Sequence, residues 1–377
     1  MRAGRAVWAL GASIFILAVA AAAMIASALP LGYDFAAYWS AANHLLAGAP
    51  LYPAPTDMLG QPGQFKYLPI VAVPFIALAP LPLSVASVLW LAVELAVAIA
   101  LGVALVRDLP PAARPWAAAA YALFLPLVLE VTLGNLDLAS VALMVLAWRL
   151  RDRPWVAAIP LALGVGLKLL PAAMLLFYLA AGRWRTVAIA AAAGIVALVV
   201  TAPFLGAPLR DYATLFPRLG DTSWVRAVVA RDEPAFLADI LWSTTFLRAL
   251  SVATLAGVVA LGWASRRSSD ATQLHHVALA IAPYLAPFAF VWTTFLVMSL
   301  PLFASTLARA LRLDGAARVT AIAGLALALV LMDLVQVHDL VPVAGHMIGV
   351  ALVAGIGLSL SSWRQGNIAA TTSTASA

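Results

Sequence analysis

The sequence predicts an all-α polytopic membrane protein, a bundle of about twelve transmembrane helices with two structured extracytoplasmic loops. Three observations carry this expectation. Of 377 residues, 64% are hydrophobic and only 10% are charged, whereas a soluble domain carries roughly 25% charged residues. Apolar runs recur along the chain, many of them close to the roughly 20 residues that a bilayer crossing takes. Basic residues then fall unevenly on alternate connections, as they do when they set orientation in a membrane. A water-soluble enzyme is excluded, and almost no chain is left for a separate soluble domain.

Apolar stretches bounded by charge or by Pro and Gly place helices near 7–29, 83–106, 115–133, 137–149, 155–167, 169–181, 187–204, 240–264, 273–291, 293–311, 319–337 and 341–362. The first begins behind Arg2 and Arg5 and is too long for a secretion-signal core, so it reads as an uncleaved helix. Fifteen of the 22 Lys and Arg residues fall on the connections that share a side with both termini. The other side holds Lys66, Lys168, Arg210, Arg218, Arg226, Arg231 and Arg248. This asymmetry puts the termini in the cytoplasm of a multi-pass plasma (inner) membrane protein. The net charge of +6 thus belongs to topology, and no nucleic acid is expected as a partner. With no cysteine in the chain, disulfides, thiolate catalysis and Cys-type metal sites are excluded.

Residues 1–363 read as one integral membrane domain, with extracytoplasmic loops near 30–82 and 205–239. Residues 364–377, rich in Ser, Thr and Ala, read as a disordered cytoplasmic tail. Both loops are too long for plain turns and dense in aromatics, which suits short helices lying at the outer interface. The segments 155–167 and 169–181 are too short to cross upright. They form either tilted helices or a broken hairpin, and Lys168 between them either faces a cavity or snorkels to the outer interface.

Charge near the apolar spans gathers on the outer side. Asp34 follows the first helix, Glu130 and Asp137 flank the turn Leu133-Gly134-Asn135, and Lys66, Lys168, Arg218 and Arg226 lie on the same face. Such a set suits an anionic, partly lipidic substrate. Asp34 opens the string Tyr33-Asp34-Phe35-Ala36-Ala37-Tyr38-Trp39. It has two readings: a helix N-cap, worth about 1 kcal/mol, or a partly desolvated base. Helical spacing puts Tyr38, Ala41 or Ala42, and Leu45 on its face.

The stretches DFAAYWSAANHLLAGAPLY (34–52) and FKYLPIVAVPFIALAPLP (65–82) resemble the first outer loop of glycosyltransferase family 87. GNLDL (134–138) resembles that family's glycine-asparagine/glutamine turn, and residues 151–185 its Gly-x-x-Lys-x-x-Pro paired segment. The family's late Ser-Trp-Asp-His-like element has its nearest counterpart in Phe290–Phe295, with threonines at the acid and histidine positions.

The resemblance implies a GT-C-like bundle and transfer of a hexose, mannose by the family's habit, on the extracytoplasmic face. The donor would be a polyprenyl-phosphate sugar and the acceptor a hydroxyl of a lipid or glycan, with membrane lipids as the surroundings. Inversion at the anomeric carbon is expected. Asp34 is then the catalytic base. Lys66, Lys168, Arg218 and Arg226 are the candidates to neutralise the phosphate, and Tyr38, Trp39, Asn135 and Asp137 complete the substrate site. No Asp-x-Asp motif or dense acidic cluster is present, so no metal or other cofactor is expected. Two other readings stand beside this one. One is a flippase for lipid-linked saccharides that uses Glu94 and Lys168 along its path. The other is a non-catalytic family member in envelope assembly.

Overall fold

The computed structural model describes residues 31–52, 64–168, 172–219, 243–282, 293–334 and 351–360. Within them every regular element is a helix: α1 (Phe35–Ala47), α2 (Leu83–Val106), α3 (Arg114–Leu123), α4 (Leu125–Leu133), α5 (Asp137–Arg149), α6 (Pro154–Leu167), α7 (Ala173–Ala180) and α8 (Trp184–Leu219). These are followed by α9 (Thr244–Ser265), α10 (Asp270–Ile281), α11 (Leu300–Ala310), α12 (Gly315–Leu334) and α13 (Ala351–Leu360), with 3₁₀ segments at Pro69–Ala77 and Thr293–Ser299. The expected first helix at 7–29 and the tail after 363 lie outside the described residues.

Among the described residues, four helices are long and apolar enough to cross a membrane, or five if the bent pair α3–α4 counts as one span. Their outer faces fit lipid rather than water. On α8, Ile195, Val199, Val200 and Phe204 are all exposed, Phe204 to 83%, a continuous apolar surface that a soluble protein does not leave open. The main core, including Leu127, Leu138, Met144, Trp148, Leu161 and Phe177, lies among the shorter helices.

The helix expected over 115–133 is two helices meeting at 53°. Phe124 between them is extended (φ −65°, ψ 107°), and Pro126 sits in the first turn of α4, where its missing N–H leaves no partner wanting. The helix expected over 187–204 continues to Leu219. At 1.5 Å per residue its apolar span, Trp184–Phe216, is about 50 Å long, against a hydrocarbon core of about 30 Å. The helix is thus longer than an upright crossing takes, and near its end Tyr212 and Leu215 join a second, smaller core.

That second core positions the site. It is built from the loop after the first expected helix: Phe35, Tyr38, Ala41 and Ala42 of α1 pack on Val71, Ala72 and Phe75 of the 3₁₀ segment. Phe35 stacks on Trp90 of α2 at 5.7 Å, and Tyr38 stacks on Phe75 at 5.1 Å. Tyr52 meets Tyr212 at 5.8 Å, which joins the C-terminal turns of α8 to the loop. Helices α5 and α6 approach closely at Gly164. Its carbonyl accepts from Ser140 Oγ at 3.0 Å, and an added Cβ would stand only 3.4 Å from that of Leu143.

Candidate active site

Each part of the site sits at a break in helical backbone. Helix α4 ends at Gly134 in the left-handed conformation (φ 73°, ψ 40°), with the Gly134 N–H bonded to Glu130 O. Only glycine fits here, because a Cβ would lie 2.9 Å from Phe35 Cβ and from Trp90 Cδ1. The Trp90 indole donates to Gly134 O at 3.1 Å. The end of α4 in turn holds the chain entering α1, since Gly32 N–H donates to Thr132 O and Asp34 N–H to Leu133 O, both at 2.9 Å. Two segments about 100 residues apart thus place Asp34 beside the Gly134-Asn135 turn.

Asp34 occupies the N-cap position of α1, yet its side chain makes no capping hydrogen bond. The carboxylate is thus not engaged in the role that would explain it without chemistry. Burial pushes its pKa up to about 6, Lys168 and Lys66 pull it down, and Asp137 pushes it up. The Lys66 ammonium is itself held below its usual range by burial, with Asp34 opposing. A carboxyl titrating near 6 is largely ionised at neutral pH while being a stronger base than a solvated aspartate.

Asn135 is the hub of the next layer. Its Oδ1 accepts the Leu136 N–H at 2.8 Å and lies 3.0 Å from Tyr38 Oη and 3.3 Å from Tyr67 Oη, and the two hydroxyls are 3.0 Å apart. Burial raises both phenol pKa values, so both stay protonated and able to donate near neutral pH. Tyr67 O accepts from Tyr52 Oη at 2.6 Å, which fixes the Phe65-Lys66-Tyr67 strip against α1.

Beneath this layer lies a buried ion pair. Helix α6 stops at Leu167, and Lys168 is extended (φ −140°, ψ 134°). The Lys168 Nζ donates to Asp137 Oδ1 at 2.6 Å, with the two side chains 7% and 0% exposed, and lies 5.7 Å from the Tyr67 ring centroid. Asp137 is the first residue of α5, where the open N–H groups favour a negative charge. Glu130, fully buried, accepts the Leu138 N–H at 2.9 Å and so satisfies another donor of that helix end.

The structure therefore brings together Asp34, Lys66, Tyr38, Asn135, Asp137 and Lys168. Trp39 lies apart from this set: its indole donates to Leu81 O at 3.2 Å, which ties α1 to the end of the loop. The backbone of Arg218 belongs to α8, while its side chain, like the whole of Arg226, lies outside the described residues. So do residues 290–292. His275 is a structural residue, buried and bonded to Ser305 Oγ at 2.9 Å and Gly357 O at 3.0 Å. Tyr67 enters the site without having been singled out from the sequence, while Glu130 belongs to the outer charge set read there but is given no individual role. The available signal for Tyr67 was its place next to Lys66 in an aromatic strip. For Glu130 it was a carboxylate in an otherwise apolar helix.

Chemically, the arrangement offers one raised carboxylate at an open edge, two cations, and a rigid hydroxyl-amide cluster beside them. No curated protein and no solved structure gives a significant match to the chain. The profile of Glycosyltransferase family 87 matches residues 65–283, more than half of the chain, and takes in Lys66, Tyr67, the Gly134 turn, Asp137 and Lys168. The match begins after the segment that carries Asp34 and Tyr38 and covers more than half of the chain, and the chain belongs to glycosyltransferase family 87.

Proposed function

We propose that this membrane glycosyltransferase moves a hexose, mannose by preference, from a polyprenyl phosphate to a hydroxyl of a lipid or glycan acceptor. In this reading a bundle of about twelve crossings spans the plasma (inner) membrane with cytoplasmic termini, and the Asp34 site opens on the extracytoplasmic face. The observation that carries the reading is Asp34 itself: an aspartate at a helix start without a capping bond, its pKa pushed up to about 6, between Lys66 and Lys168.

Asp34 takes the proton of the acceptor hydroxyl as that oxygen attacks the anomeric carbon. The bond from that carbon to the phosphate oxygen breaks on the opposite side, which inverts the centre and leaves a polyprenyl phosphate. This leaving group needs cations and hydrogen bonds rather than a general acid. Lys66 and Lys168 supply the positive charge, with Arg218 and Arg226 as further candidates from the second outer loop. Tyr38, Tyr67 and Asn135 hold the pocket wall in one geometry, and Asp137 fixes the Lys168 ammonium. Trp39 packs the loop that carries Asp34.

Glu94, which a transport path would need at mid-depth, is fully buried and lies within Coulombic reach of Asp137 and Glu130. Glu94 thus interacts with the carboxylates below the Asp34 site, which accounts for it without a transport path.

The test is label transfer from a radiolabelled polyprenyl-phosphate mannose to a membrane-extract acceptor pool. Purified wild type in lipid runs beside Asp34→Asn. General-base loss lowers turnover by about 10²–10⁴-fold. Wild-type turnover by Asp34→Asn would remove Asp34 as the base. A wild type that binds the donor, and other polyprenyl-phosphate sugars, without transfer would move the assignment to the flippase or non-catalytic reading.

A further inference from the structure

At the other end of the bundle a second polar feature has no part in this chemistry. Helix α2 starts beside Phe35 and Gly32 and runs 24 residues to Val106, about 36 Å at 1.5 Å per residue. Where it ends, a cavity of ≈ 450 Å³ opens between the ends of α2, α5 and α11 and the start of α10. Five arginines line it: Arg107, Arg149, Arg151, Arg309 and Arg312. Among the described residues two carboxylates line the same cavity. Asp108 pairs with Arg149 at 2.7 Å and with Arg107 at 3.5 Å, and Asp270 pairs with Arg151.

A single arginine at a helix C-terminus is explained by the carbonyls there. Arg107 and Arg312 at the rim are exposed, while Arg149 and Arg151 are largely withdrawn from water. Here five line one concave space, with three more arginines than carboxylates among the described lining residues. Arg149 Nε is buried and has no partner among the described residues. The floor of the cavity is apolar, formed by Leu105, Val145 and Val277. A guanidinium rim over an apolar floor matches a phosphate group attached to a hydrocarbon, and the guanidinium fork grips phosphate oxygens in pairs.

We propose that this cavity is a second binding site, separate from the Asp34 site, for a phosphate-bearing anion. Its two possible sources are the head group of an anionic membrane lipid and free phosphate. The rim alone serves either, while the apolar floor serves the lipid.

The experiment is native mass spectrometry of the full-length protein, delipidated and titrated separately with phosphatidic acid, phosphatidylcholine and inorganic phosphate. The test variant is Arg107→Gln/Arg312→Gln. The comparison variant, Arg183→Gln/Arg318→Gln, removes two charges outside the cavity. Expected is selective binding of phosphatidic acid over phosphatidylcholine, weakened about tenfold or more in the cavity variant only. Phosphate binding alone, with the same dependence on the cavity arginines, supports the site and assigns it to the free ion. Arg312→Gln alone is read alongside, because Arg312 is exposed and its loss leaves the packing intact. Equal retention in wild type and both cavity variants, or an equal loss in the comparison variant, overturns the proposal.

Discussion

The Lys168–Asp137 pair allows the sharpest separation of structural from chemical roles. It joins the break after α6 to the start of α5 through one 2.6 Å contact, with both side chains out of water. Lys168→Met leaves the Asp137 carboxylate facing Glu130 and Glu94 with its cation gone. Removing one member of a buried pair costs about 3–5 kcal/mol, a large part of the roughly 5–15 kcal/mol that holds a typical domain. Asp137→Leu leaves the ammonium instead and costs a similar amount. Replacing both by apolar groups of similar volume is often neutral or stabilising, so Lys168→Met/Asp137→Leu is expected to be more stable than either single variant. Thermal unfolding in detergent, read as a double-mutant cycle, measures the coupling. The same samples in the transfer assay then decide the role. A double variant that folds like wild type but does not turn over places the Lys168 charge in the reaction. Single-variant losses that simply add in the double would refute the pair as an energetic unit, and a double variant with full turnover would refute Lys168 as a phosphate cation.

The acid limb of kcat/KM is expected at about pH 6, where Asp34 titrates, with activity falling about tenfold per pH unit below it; a limb near 4 would show a solvated carboxylate. For stability the sign is opposite. Because the folded pKa is raised, the native state holds a proton that the unfolded chain has released, so the contribution of Asp34 falls as pH rises from about 4 to about 6. A pH series of unfolding midpoints in wild type and Asp34→Asn isolates that difference. Since Lys168 lowers and Asp137 raises the Asp34 pKa, Asp137→Asn moves the acid limb to lower pH. Asn135→Ala strands the Leu136 N–H and removes the shared acceptor of two tyrosines. It should cost about 1–3 kcal/mol in unfolding experiments. Gly134→Ala forces a Cβ into Phe35 and Trp90 at a left-handed residue, a destabilisation of about 1–3 kcal/mol in the same measurement.

How far this architecture was legible in the sequence depended on what each signal was. The α2 span matched the expectation at both ends, because an unbroken apolar run is bounded by Pro82 and Arg107. The bend at Phe124 lay hidden inside a run that stays apolar throughout, with Pro126 its one mark. The extension of α8 was misjudged because Pro203, Pro208 and Arg210 look like a helix end. The helix persists because Tyr212 and Leu215 find a tertiary partner in the loop. Asp34, Lys66 and Lys168 stood out as charges in apolar surroundings. The tyrosine pair on Asn135 did not, since it joins residues 29, 68 and 97 positions apart, and no local pattern encodes a contact at that range.

The charged layer is difficult to explain as a device for stability. The aromatic packing of Phe35, Phe75 and Trp90 already holds the loop on α2, and an apolar pair at positions 137 and 168 would hold α5 and α6 together at least as well. Fully buried Glu130 and Glu94 add further desolvation. Each irregular piece of backbone in this region, from the left-handed Gly134 to the extended Lys168 and the 3₁₀ segment Pro69–Ala77, lies at the same end of the bundle. Irregular backbone in or beside a bilayer persists only where protein or a polar cavity covers it. Broken helices and buried charge converging on one place mark a site kept for what it does to a substrate. The argument can be inverted as a test. If the layer were structural, replacing Lys168, Asp137 and Glu130 together by Met, Leu and Gln, the last keeping an acceptor for the Leu138 N–H, would give a stable and active enzyme. The functional account requires that variant to be stable and inactive, and full turnover in it would sink the account.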